Sequence, residues 1–107
     1  MKLVFSIINS DDAPAVSAAL TENNFQVTKL ATTGGFLKAG NTTFITGVED
    51  DKVDDVIKII EKKSNKRTQY VPNAASAAWE SYSERPLEVT VGGATIFVVD
   101  VDRFEKI

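Results

Sequence analysis

Apolar positions recur along this chain with two different periods, one suited to strands and one to helices. Lys2 to Asn9, KLVFSIIN, is almost continuously apolar through Leu3, Val4, Phe5, Ile7 and Ile8. It reads as a first strand, central in its sheet and covered on both faces. Ser10, Asp11 and Asp12 are helix-start residues, and Pro14 suits a first helical turn. A helix is therefore predicted from there to about Glu22, with Val16, Ala19 and Leu20 as its apolar stripe. Asn23-Asn24 ends it, and Asn24 suits a C-cap. Phe25 to Ala31 then alternates, with Phe25, Val27 and Lys29 on one face and Gln26, Thr28 and Leu30 on the other. Thr42 to Val48 is β-branched and aromatic, a further strand. From about Asp51 to Lys63 the period returns to helical, with Val53, Val56, Ile57 and Ile60 on one face. Glu49, Asp50 and Asp51 charge its start, and Lys62, Lys63, Lys66 and Arg67 its end, as the helix dipole favours. Asp54 and Lys58 have the spacing of a surface ion pair.

The remainder is less regular. Arg67 to Val71 suits a short strand. Residues 72–86, PNAASAAWESYSERP, have little strand character and read as a long loop. Trp79 and Tyr82 either anchor that loop or form an exposed tip that a partner reads. Leu87 to Val91 and Ala94 to Val101 are strand-like, and Gly92-Gly93 between them suits a two-residue hairpin turn or a bulge. The elements sum to an α+β fold. The expectation is a ferredoxin-like β-α-β-β-α-β sandwich, two helices on one sheet face, with an added C-terminal hairpin and a long loop around residues 72–86. A length of 107 residues suits one domain over 1–107.

Composition narrows the chemistry. The chain has no Cys and no His, so disulfides, Cys/His zinc sites and His-based catalytic triads are excluded. A net charge of −3 with interspersed signs argues against a general nucleic-acid or membrane surface, and leaves room for one phosphate-bearing ligand. No run approaches the ~20 apolar residues of a membrane helix. The expectation is a cytoplasmic protein with no membrane and no nucleic-acid partner. No nucleophile–base spacing and no acidic metal motif stands out, so it is read as a non-enzyme without a cofactor.

Between the second and third strands lies TTGGFLKAGN, longer and richer in Gly than a hairpin requires. Gly34-Gly35 permits positive φ and close approach of a ligand to backbone N–H groups, which together make an anion site. Thr32, Thr33 and Asn41 add polar side chains, and Phe36 offers a face on which a flat base stacks. The competing reading is that Phe36 and Leu37 fold onto the core and the glycines only shape the turn.

TKLATTGGFLKAGNTTFITGVEDDKVDDV, together with VGGATIFVV, resembles the PII-like cyclic-di-AMP receptor family. The resemblance covers nearly the whole chain. It implies a trimeric signalling protein that binds cyclic di-AMP between neighbouring subunits. By that resemblance the ligand-binding residues are Asn24, Thr28, Gly35, Phe36, Leu37, Asn41 and Gly47, with Gln26 at a family position and Phe97 contributed across the subunit boundary. Phe36 and Leu37 would cover an adenine face, Asn41 would read base edges, and Thr28 and the Gly35 N–H would bind polar ligand atoms. Gly47 would leave room. The chain departs from the pattern at Gln26, where the family usually has Arg, at Lys106, where it usually has Gln, and in the 72–86 segment. Losing the Arg removes a fixed charge and a planar fork. Two functions follow as expectations. One is a receptor for cyclic di-AMP or a related nucleotide that relays binding through the long loop to an unknown protein partner. The other is a homotrimeric interaction module that has lost or changed its ligand.

Overall fold

Val4, Ser6 and Ile8 alternate with Leu3, Phe5 and Ile7 along β1 (Lys2–Asn9), and the two sets meet different surroundings. The first set is buried and the second half-buried. The computed structural model describes the backbone of residues 1–30, 40–71 and 87–107, and the side chains of all of these except residues 69–71 and 87–89. Within it follow α1 (Ala13–Glu22), β2 (Thr28–Leu30), β3 (Asn41–Val48), α2 (Val53–Ser64), β4 (Arg67–Val71), β5 (Leu87–Val91) and β6 (Ala94–Asp100). A short 3-10 turn, Asp50–Lys52, precedes α2.

The main sheet is antiparallel in the order β2-β3-β1-β6, compatible with a ferredoxin-like fold, and it is closed by Ala94–Asp100 rather than by Arg67–Val71. Val4, Ile8, Val16, Leu20, Phe44, Val56 and Ile60 form the core between one sheet face and the helices. Truncating one such side chain to Ala costs about 2–5 kcal/mol. Ile59 also packs against this core, because α2 lies beside α1 as well as on the sheet. Asp54 and Lys58 make no ion pair among the described residues.

β1 is central, as its continuous apolar run predicts. The helices cover only one of its faces. Directly opposed residues of antiparallel strands share a face. The register therefore puts Leu3, Phe5, Ile7, Ile45, Phe97 and Val99 together on the opposite side.

Asn23 and Asn24 end α1 by a specific device. Asn24 adopts φ +66°, its N–H donates to the Thr21 carbonyl at 3.0 Å, and the Phe25 N–H donates to the Leu20 carbonyl at 2.9 Å. This is a Schellman ending with Asn in the left-handed position. Phe25 then turns onto the core, so regular pairing starts at Thr28 rather than at Phe25.

The hairpin differs from the expected one. β5 pairs with β4, from Arg67↔Val91 to Val71↔Leu87, and not with β6 across Gly92-Gly93. The hairpin is thus inserted between α2 and the last strand, with segment 72–86 joining its two strands. Gly92 and Gly93, at φ +85° and +83°, carry the chain tightly past the end of α2. A Cβ on Gly92 would lie 2.6 Å from the Asn65 carbonyl oxygen, and the Gly93 N–H donates to the Ser64 carbonyl. That crowding calls for glycine without a two-residue turn.

Candidate functional site

Asn41, Gly47, Thr28 and Phe97 all stand on the sheet face that the helices leave open. Thr28 opposes Ile45, Ile45 opposes Phe5, and Phe5 opposes Phe97, so these four form one row across the sheet. Three strand spacings separate Thr28 from Phe97, about 14 Å. Phe97 is 46% exposed and Val99 47%, so this edge of the face is only partly covered.

The α1–β2 junction and the end of β3 bring a second group together. Asn24, Gln26 and Gly47 line one hollow of about 310 Å³ with Met1, Phe25, Val48, Glu49 and Lys52. The Schellman turn sets Asn24 and Gln26 there, and the β1–β3 register brings Gly47 opposite Leu3 beside them. Among the described residues nothing lies within 4 Å of a Cβ placed on Gly47, whose φ is not positive, so neither their packing nor the backbone demands glycine there. A strand-interior glycine with no reason inside its own chain often marks close approach of a ligand or another backbone.

Asn41 lies at the other end of β3, six residues or about 20 Å from Gly47. It lines a different hollow, of about 350 Å³, with Asn9, Lys66, Gly92 and Thr95 among others. Gly35, Phe36 and Leu37 lie outside the described residues, as do Trp79 and Tyr82. One chain therefore gathers Asn24, Gln26 and Gly47, places Thr28 and Asn41 farther along the same surface, and leaves Phe97 on the far edge.

The stem of the glycine loop is held firmly where it is described. The Ser10 N–H donates to the Gly40 carbonyl at 2.7 Å, and the Ser10 and Thr42 hydroxyls meet at 2.8 Å. Just beyond, the Arg67 guanidinium grips the buried Asp12 carboxylate through both nitrogens, at 2.7 and 3.3 Å. The hydrogen bond to Asp12 pushes the Arg67 pKa up. Near the other hollow, the Met1 ammonium lies 3.0 Å from Asp50 and holds that carboxyl below its usual range. Lys2 hydrogen-bonds Asp100 across the β1–β6 ladder, which raises the Lys2 pKa.

Sequence reading missed Lys52 and Glu49 as neighbours of Gln26 and Gly47, assigning that stretch only to a helix start. No sequence signal marks them, because the fold alone brings the β3–α2 connection against the α1–β2 junction.

The family model described as cyclic-di-AMP receptor matches residues 1–107, the whole chain. This chain belongs to the cyclic-di-AMP receptor family. A crystal structure of a functionally unknown protein from Pediococcus pentosaceus ATCC 25745 is similar to it, at 42% identity and a TM-score of 0.76. That similarity covers 99% of this chain and 96% of the other. Membership of a receptor family fits a binding, regulatory protein. Among the described residues no helix is long and apolar enough to cross a membrane.

Proposed function

We propose that this protein is a regulatory receptor, a single domain over 1–107, that binds cyclic di-AMP at a boundary between copies of the chain. The observation that carries the reading is Gly47, a glycine without a structural reason of its own, facing a hollow shared with Asn24 and Gln26. The family membership supplies the ligand class. Asn24, Gln26 and Thr28 offer amide and hydroxyl groups to polar ligand atoms, and Asn41 an amide for a base edge. Gly35 is proposed to meet the phosphate, and Phe36 and Leu37 an adenine face. Phe97, about 14 Å from Thr28 in its own chain, suits a site completed by a neighbouring copy. Segment 72–86, joining β4 to β5, is the proposed relay to a protein partner, and the protein acts in the cytoplasm as a homotrimer without catalysis.

A second reading, an interaction module without nucleotide, is favoured by the apolar open face itself, which suits self-association whatever the ligand. Calorimetric titration of cyclic di-AMP separates the two, with Gln26→Arg run in parallel. Saturable binding by the natural sequence is expected, tightened about ten- to a hundredfold by the restored charged contact. Heat from neither protein would leave the interaction module as the better reading.

A further inference from the structure

Gln26 brings an uncharged amide to the hollow, and the structure offers a cation there from another element. Of the described residues lining that hollow, Lys52 is the one with a cationic side chain. It is exposed, and it makes no ion pair among the described residues, whereas Lys2, Arg67 and Arg103 are each paired with a carboxylate. Met1 also lines the hollow, and its ammonium is engaged by Asp50. The Lys52 N–H donates to the Glu49 carbonyl at 2.9 Å, which fixes the turn from which its side chain leaves. Glu49 is the opposing charge in the same hollow and tempers the local potential without pairing with Lys52.

We infer that Lys52 supplies the cationic contact to a ligand phosphate that Gln26 cannot make. The inference rests on the receptor reading above and adds a residue to that site. A flexible ammonium approaching from the helix side substitutes for charge but not for a planar fork. The chain is thus expected to hold the phosphate while discriminating less by geometry.

The test is calorimetry with cyclic di-AMP on the natural chain, Lys52→Gln, Gln26→Arg and the double variant. Lys58→Gln serves as control, since Lys58 lines the adjoining hollow that contains neither Gln26 nor Gly47. Lys52→Gln is expected to bind about tenfold more weakly, the loss of one charge-assisted contact. Its affinity should also depend less on salt. Lys58→Gln should match the natural chain. Gln26→Arg should gain more in the Lys52→Gln background than in the natural one, because the two cations would serve one phosphate. Equal binding by Lys52→Gln and the natural chain overturns the inference and leaves the receptor reading standing. So does binding that appears only with Gln26→Arg, since Lys52 would then not have replaced the lost charge. Silence from every variant removes both.

Discussion

Asn24 shows how one residue serves structure and is proposed to serve ligand as well. Its φ of +66° closes α1 and aims Gln26 at the hollow. Asn24→Gly should leave stability nearly unchanged, because glycine tolerates that backbone, whereas Asn24→Ala should cost about 1–2 kcal/mol. Urea denaturation measures this. If the amide also touches ligand, both variants lose affinity, and the glycine variant does so with its stability intact. The C-cap role of Asn24 was legible in the sequence, because a polar residue after an apolar helical stripe signals a stop. Lys52 was not, because its relation to Gln26 exists only across the packed elements. The same holds for the separation of Asn41 from Gly47. They look adjacent in one motif, yet an extended strand holds them at opposite ends of a face.

At the scale of elements, two glycines of similar sequence character have different reasons. Gly92→Ala places a Cβ 2.6 Å from a backbone oxygen at φ +85°, and should destabilise by about 1–3 kcal/mol. Gly47→Ala meets open space and should leave the denaturation midpoint unmoved while weakening cyclic di-AMP binding. A shifted midpoint for Gly47→Ala without loss of affinity would count against its ligand role. Helix spans and strand identities were legible because periodicity reports which face is buried. Strand partners were not. Arg67 to Val71 and Ala94 to Asp100 both look like a last strand, and only the tight passage of Gly92-Gly93 past the end of α2 sends β5 to β4 and β6 to β1.

For the whole molecule, the open sheet face sets the expectation. Half-buried Leu3, Phe5, Ile7 and Ile45 continue into exposed Phe97 and Val99, an apolar surface that a short chain gains from covering. Light scattering behind size exclusion should report a mass of three chains, and Val99→Asp should lower it by burying a charge in that face. A natural chain that elutes as a monomer would remove the shared-site reading. A charge effect belongs at this scale too. The folded Lys2 pKa is raised above 10.5, first by its hydrogen bond to Asp100. That small, exposed contribution is therefore present below pH 10.5 and is lost as pH rises through the higher folded value.

Sequence alone determined the kinds of element, their order and the family likeness, because these follow from local periodicity and a long specific string. Tertiary structure decided which strand completes the sheet, where the hairpin is inserted, and which face stays open. It also decided that Gln26 and Lys52 line one hollow. Those outcomes depend on contacts between distant segments, which no local pattern of apolar and polar residues encodes.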